Sequence, residues 1–369
     1  MRIIEEEQLD FDDVLIQPKR STINSRKEVN IYRDIKWKDP NGEEHVLNCI
    51  PIMSANMGTV GTLEMAKHLS KAGYLCALEK HYTYDDIAKL FLELQDEVRA
   101  EYKEGDMPFG EEKRYTQRIF PTVGLDADLR LIRGLIDNFG LVGVTLDIAN
   151  GYIARLVDEV KLLREQFPKL FIVAGNVVTA DITTDLILAG ANCLKCGIGS
   201  GSACTTRLKA GVGRPQLSTI IECADAAHQL HAYVMSDGGC VNPCDISKAF
   251  CAGADFVMLG GMLAGCDEAE GEKVLGADGK YYKKYYGMSS KYAQEKHFGK
   301  FNNYRASEGR EKLIPATGPL QNTIDDINGS LRSTCSYIGS HELRHMAKHA
   351  TFYRVNRQLN TIFENCKDF

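Results

Sequence analysis

Cys204 lies in the stretch Gly197-Ile198-Gly199-Ser200-Gly201-Ser202-Ala203-Cys204-Thr205-Thr206, which joins a nucleophile to nearly bare backbone. Glycines at alternate positions let the chain turn tightly and approach a ligand or ion closely. A thiol attacks as its thiolate, and hydroxyls such as those of Thr205 and Thr206 can relay protons. The same residues also describe a Gly/Ser-rich turn around a structural cysteine, since cysteine is among the most buried residue types. A second kind of chemistry is written in Asp237-Gly238-Gly239 and in Gly260-Gly261. Bare backbone N–H groups can hold an anion. The acid before the first pair can accept hydrogen bonds from ribose hydroxyls. Together they suggest a nucleotide or another sugar phosphate. A third candidate is Glu308, in the charged run Tyr304-Arg305-Ala306-Ser307-Glu308-Gly309, where a carboxylate on a lid can carry a proton to a closed site.

The elements that must position these groups follow a regular rhythm. Apolar runs at Ile50–Asn56, Tyr74–Leu78, Ile119–Gly124, Val142–Asp147, Leu170–Asn176, Cys193–Gly197, Ala232–Gly239 and Asp255–Gly261 read as strands. Helical patterns follow them, among them Leu63–Ala72 and Tyr84–Glu101, with Asp126 as a cap for the helix after the third strand. Eight apolar strands alternating with helices predict an α/β protein with a closed (β/α)8 TIM barrel. An open doubly wound sheet would call for GxGxxG after its first strand, and none stands there. The barrel places active sites at the C-terminal ends of its strands. Those ends carry Ser54, Asn56, Lys80, Asp147, Asn176, the Cys204 loop, Asp237 and Gly260-Gly261, a recurrence that favours the catalytic reading of Cys204.

Residues 1–48 form an entry segment and residues 102–117 a charged loop, both without clear periodicity. Residues 268–320 are rich in Glu, Lys, Gly and Tyr and are expected to form a mobile lid within one 369-residue barrel domain. Helices over Asn322–Ser336 and from Ser340 onward close the chain.

Composition narrows the function. The chain is 44% hydrophobic and 25% charged, enough apolar material for a large core, and its net charge of −6 argues against coating nucleic acid or an anionic membrane. The acidic start, Met1-Arg2-Ile3-Ile4-Glu5-Glu6-Glu7, lacks the apolar core of a secretory signal, and no apolar run approaches a membrane span. A cytoplasmic location is expected. Twelve cysteines in a chain of this length do not imply a disulfide framework. Cys193-x-x-Cys196 falls on a strand, where an odd spacing sends the two side chains to opposite faces and leaves no zinc site.

Met53-Ser54-Ala55-Asn56, Gly175-Asn176-Val177-Val178-Thr179, Gly197–Thr206 and Ser236-Asp237-Gly238-Gly239, in that order, resemble the IMP dehydrogenase/GMP reductase family over nearly the whole chain. Within it, Asp147-Ile148-Ala149-Asn150-Gly151-Tyr152, Tyr286-Gly287-Met288-Ser289-Ser290 and Tyr304–Gly309 look like the reductase versions. No paired regulatory CBS modules fit between the second and third strands. The dehydrogenase's Arg-Tyr pair, its Gln at the Glu308 position and its Glu-Gly-Gly tail segment have no counterpart.

The resemblance implies conversion of GMP and NADPH to IMP, ammonia and NADP. Cys204 would be the nucleophile, with Thr206 and Glu308 as proton relay. GMP would be held by Asp237, Gly238, Gly239, Gly260, Gly261, Tyr286, Gly287, Met288, Arg305, Ala306, Ser307, Glu308 and Gly309. Lys80, Asp147, Ile148, Ala149, Ile198, Gly199 and Met288 would line the cofactor site. Ser25, Arg26, Tyr304, Arg305 and Ser333, Thr334, Cys335 and Ser336 would reach the adenosine end across a subunit boundary, with Arg26 suited to a 2′-phosphate. Carbonyls of Gly199, Gly201 and Cys204 would bind potassium, and the assembly would be a homotetramer. Ser200 departs from the family, many of whose members carry Pro there. An IMP dehydrogenase without regulatory modules and a catalytically silent guanine-nucleotide-binding regulator are the alternatives.

Overall fold

The chain enters its barrel at Ile50-Pro51 and passes through eight parallel strands: β1 (Ile52–Ser54), β2 (Leu75–Ala77), β3 (Ile119–Phe120, resumed at Thr122–Val123), β4 (Gly143–Asp147), β5 (Phe171–Val177), β6 (Cys193–Cys196), β7 (Tyr233–Asp237) and β8 (Phe256–Leu259). The computed structural model describes residues 1, 3–103, 106–108, 110–287, 290 and 309–356. Each strand pairs with the next, and β8 returns to β1 through Val257↔Ile52, Met258↔Met53 and Leu259↔Ser54. β3 is split at Pro121, which has no N–H to give to a ladder. Its first half pairs with β2 and its second with β4. The Pro121 carbonyl accepts from Thr145 N at 2.9 Å, so the seam is bridged and the barrel closes as expected.

The outer helices are α1 (Leu63–Lys71), α2 (Tyr84–Ala100), α3 (Leu129–Phe139), α4 (Ala154–Gln166), α5 (Ala180–Leu188), α6 (Gln216–Gln229), α7 (Pro243–Cys251) and α8 (Leu320–Ile338). Side-chain caps fix several starts. Thr83 and Asp86 cap α2 reciprocally, with Asp86 N donating to Thr83 Oγ1 at 3.3 Å and Thr83 N to Asp86 Oδ2 at 2.9 Å. At α3 the cap is Asp128 rather than Asp126: Asp128 Oδ1 accepts from Arg130 N at 3.0 Å, while Asp126 sits at φ 60° and pairs with Arg155.

The two ends of the barrel differ in chemistry. At the N-terminal end, Phe120, Phe171, Tyr233 and Phe256 form an aromatic floor, each within 6.1 Å of Phe171 by ring centroids. Trp37 covers it edge-on to Phe171 at 5.1 Å and donates from Nε1 to Lys169 O at 3.0 Å. Such pairs contribute about 0.5–1.5 kcal/mol each beyond area burial. Trp37 belongs to a hairpin, Arg33–Lys38 with Glu44–Cys49, so this part of the entry segment is a folded plug. Arg33 fixes the plug through Asp255, 2.7 Å away.

Within residues 268–320, Lys273–Leu275, Tyr281–Tyr286 and Glu311–Pro315 form an antiparallel sheet. One further expectation is corrected. Among the described residues after Ser340, the expected long helix is replaced by a 3-10 turn, Leu343–His345, and a short helix, Met346–His349, before the chain returns as Phe352–Arg354 to pair with Val14–Ile16. Among the described residues, no helix is long and apolar enough to cross a membrane.

Candidate active site

The C-terminal strand ends surround a cavity of about 240 Å³ bordered by Cys204, Thr206, Asp147, Asp237, Lys195 and Asn176. Its framework is ionic. Lys195, on β6 and 4% exposed, points up the barrel axis between two carboxylates, with Nζ 2.6 Å from Asp147 Oδ1 and 2.9 Å from Asp237 Oδ2. Asn56 Nδ2 donates to Asp147 Oδ2 at 2.9 Å, and Asn176 Nδ2 donates to Asp237 Oδ2 at 2.8 Å and to Gly197 O at 2.7 Å. Burial opposes charge on Lys195, but Asp147 and Asp237 outweigh it and hold the ammonium above its usual range. Burial likewise raises the Asp147 carboxyl. Lys195 and then Asn56 overcome that and keep it below the usual carboxylate range. β4, β6 and β7 are thereby tied together by one cation where the chemistry must sit.

The Cys204 loop starts at the end of β6. Gly197 has φ 148°, and a Cβ there would lie 2.0 Å from Asp237 O, so only glycine lets β6 exit this close to β7. Ser200 Oγ donates to Asp237 O at 3.1 Å, and Ser200 O accepts from Gly239 N at 3.0 Å. Ser200 thereby fastens the loop to the end of β7 by two hydrogen bonds. Cys204 N donates to Gly201 O at 2.9 Å, and Cys204 Sγ donates to Thr206 Oγ1 at 3.2 Å.

Cys204 also stands apart from the other thiols. Among the described cysteines only Cys204 and Cys240 are half-buried and Cys244 exposed. Burial pushes Cys49, Cys76, Cys251 and Cys335 up to about 12, which keeps them protonated and inert. Cys193 and Cys196 are both buried.

The antiparallel sheet delivers the far wall. Cys204 forms a bridge with Gly309, Arg310 N donates to Ala203 O at 3.0 Å, and Gly287 N donates to Arg310 O at 3.2 Å. Arg310 Nη2 and Nε both donate to Ser202 O, at 2.9 and 3.2 Å. The strand leaving the lid is thus laced to the loop that carries the thiol. An eight-stranded barrel with its cysteine loop after β6, acids closing β4 and β7, and a returning strand across the mouth is a specific combination.

Residues 8–361 match the model of the IMP dehydrogenase / GMP reductase domain. The chain belongs to the IMP dehydrogenase / GMP reductase family. It is 47% identical over 363 residues to a protein named GMP reductase from Photobacterium profundum, covering 98% of this chain and 99% of that one. A protein of the same name from Vibrio vulnificus is 47% identical over 365 residues, covering 98% and 99%. One from Phytophthora infestans is 45% identical over 362 residues, covering 98% and 94%.

Many residues expected from the family resemblance border the one cavity: Asp147, Ala149, Ile198, Gly199, Gly201, Cys204, Thr206, Asp237, Gly238, Gly287 and Gly309. Gly261 instead faces a cavity of about 550 Å³ that it shares with Ser202 and Lys312. Tyr286 borders a third, of about 440 Å³, with Gly58 and Glu270. The tyrosine in the cavity of Cys204 is Tyr285, since neighbours on a strand face opposite ways. A Cβ on Gly260 would meet the Tyr285 hydroxyl at 2.6 Å, so that glycine makes room for this ring.

Ser25 caps the turn Arg26–Glu28, which packs beside α8, the helix that carries Ser333 to Ser336. None of these borders the cavity of Cys204, and Cys335 is buried in the core. Met288, Tyr304, Arg305, Ala306, Ser307 and Glu308 lie outside the described residues. Sequence reasoning missed Lys195, because a single lysine inside Cys193–Cys196 reads as an interruption of an apolar strand. Its alternation with flanking apolar residues, between two strands that end in Asp, was the available signal.

Proposed function

We propose that the chain is a GMP reductase that converts GMP and NADPH to IMP, ammonia and NADP through a covalent bond between Cys204 and C2 of the purine. The observation that carries this reading is the Cys204–Thr206 pair, 3.2 Å apart, at the mouth of a cavity whose walls are Asp147 and Asp237. C2 of guanine lies between two ring nitrogens and becomes an electrophile on protonation. The Cys204 thiolate adds there, and the exocyclic amine takes a proton and leaves as ammonia. Thr206, beside the sulfur, carries that proton with Glu308, which is joined to the Gly309 that bridges Cys204. NADPH supplies the hydride that C2 receives, and Cys204 then departs as thiolate. Covalent catalysis divides a difficult displacement into two easier steps.

Asp237 receives the ribose hydroxyls, and the phosphate lies toward Gly238-Gly239 and Gly260-Gly261, where a Gly261 Cβ would come within 2.9 Å of Ser202 Oγ. The nicotinamide end lies against Asp147, Ala149, Ile198 and Gly199, and Lys80, Ile148 and Met288 complete that side. Ser25, Arg26, Tyr304, Arg305 and the 333–336 turn of α8 serve the adenosine end in a homotetramer. Potassium would be held by the carbonyls of Gly199, Gly201 and Cys204. The Gly201 oxygen accepts one hydrogen bond, from Cys204 N, and keeps its second lone pair. One barrel domain, with a lid over 268–320, suffices for this chemistry.

The test follows NADPH absorbance after GMP is added, with IMP plus NAD in parallel. GMP-dependent loss of NADPH with release of ammonia, abolished in Cys204→Ala, is expected. Activity only with IMP and NAD would make the chain a dehydrogenase. Tight GMP binding without turnover in either assay would make it a regulator.

A further inference from the structure

At the end of the barrel opposite Cys204, the plug hairpin turns through Asp39-Pro40-Asn41-Gly42 and gathers three potential ligands, Asp39, Glu43 and His45, whose donor atoms all lie within 4.8 Å of one another. Asp39 is 5% exposed. Its Oδ1 accepts from the amides of Asn41 at 2.9 Å and Glu43 at 3.0 Å, which shapes the turn. Its Oδ2 is buried and has no hydrogen-bond partner in the protein, and the same holds for His45 Nε2. These two atoms face each other at 3.7 Å. That is too far for a hydrogen bond, which needs about 2.7–3.2 Å. It is close to the ~3.3 Å between ligand atoms on a tetrahedral zinc with bonds of about 2.0–2.1 Å.

We propose that Asp39, Glu43 and His45 bind a divalent transition-metal ion of the zinc type, which fastens the plug hairpin at the floor of the barrel. One imidazole and two carboxylates suit zinc and its neighbours better than magnesium or calcium, which take oxygen ligands alone. Three protein ligands leave a position for water. Glu43 is exposed and is held by Lys169 Nζ at 2.5 Å. Swinging it onto the ion costs only that surface pair, and such pairs contribute little. Asp39 also borders a cavity of about 630 Å³ at this end of the molecule, which gives an ion a way in. The ion would act on the hairpin and not on the chemistry at the far end.

The molecule carries its own reporter. Trp37 is the single tryptophan, and its ring lies 5.4 Å from that of His45. The full chain, stripped with a chelator and carrying Cys204→Ala to remove the active-site thiol, is titrated with Zn²⁺ while tryptophan fluorescence and Tm are followed. A saturable change at one equivalent per chain is expected, with a rise in Tm and no response to Mg²⁺. Glu43→Gln, a change at an exposed position, should weaken binding at least tenfold, and His45→Gln should abolish it. Co²⁺ in place of Zn²⁺ should give weak visible bands without a thiolate charge-transfer band. An unchanged Trp37 signal, an equal response in the Glu43→Gln and His45→Gln variants, or a thiolate band on Co²⁺ addition would each overturn the assignment.

Discussion

Replacing Lys195 by Met keeps most of its length and removes its charge from between Asp147 and Asp237. Nζ lies 2.6 and 2.9 Å from the two carboxylate oxygens, so those oxygens are at most about 5.5 Å apart, and at an effective dielectric of ~20 two unit charges there repel by about 3 kcal/mol. Breaking a buried ionic contact by deleting one partner costs ~3–5 kcal/mol, a range that includes this repulsion. At ~2.1 cal/mol/K of unfolding entropy per residue, the whole chain should lose about 4–6 °C in Tm at pH 7.5. The pH dependence gives a sharper signature. In the parent the Asp147 carboxyl is depressed, so its contribution is present above its unfolded value and is lost as pH falls through the folded one. In Lys195→Met two facing carboxylates raise each other, so the deficit should shrink on acidification toward pH ~5. Scanning calorimetry of the parent, Lys195→Met and Lys195→Met/Asp147→Asn at both pH values decides the matter. The double variant should regain most of the lost Tm at pH 7.5. A Lys195→Met protein as stable as the parent, or one that Asp147→Asn does not rescue, would refute the ionic strut.

Gly197→Ala places a Cβ 2.0 Å from Asp237 O at φ 148°, a strain of about 1–3 kcal/mol before any clash is relieved. Because the loop carrying Cys204 must shift, turnover should fall about 100-fold while circular dichroism stays native, and unimpaired steady-state rates would count against this reading. His228 Nε2 lies 2.8 Å from Asp255 Oδ2, and that hydrogen bond raises the imidazole above its ordinary value. A raised folded pKa contributes stability in full below about pH 6.5, the unfolded value, and loses it as pH climbs through the folded value. His228→Gln should therefore lower Tm at pH 6 more than at pH 8.5, and an equal loss at both would exclude the ion pair.

The barrel was readable because its strands are continuous apolar runs that end in Asp, Asn or Gly, a pattern that burial on both faces imposes. The cysteine loop was readable because alternate glycines have no competing use in a strand exit. The hairpin Arg33–Cys49 was not: Arg33-Asp34-Ile35-Lys36-Trp37-Lys38 has only two buried apolar side chains, Ile35 and Trp37, and its register is completed by partners some two hundred residues away, Asp255 and Tyr233. Tyr281–Tyr286 hid its strand character in two Tyr-Tyr pairs around two lysines, one of which, Lys283, is buried with its ammonium on the carbonyls of Cys266, Asp267 and Ala269. Lys195 and Tyr285 were passed over for a shared reason: a polar or amphipathic side chain aimed into a barrel mouth looks the same in sequence as one aimed outward.

The plug also sets a timetable. Trp37 needs Lys169, Lys36 needs Tyr233 and Arg33 needs Asp255, so the hairpin leaves the ribosome well before its partners and has no seat until nearly the whole barrel has been made. At translation rates of about 5–20 residues per second, the hairpin waits roughly ten to forty seconds for its floor. During that interval it is an isolated two-stranded ribbon, marginal in water, with Trp37 uncovered. Nascent chains stalled between residues 60 and 230 would therefore be the forms of this protein most in need of a chaperone.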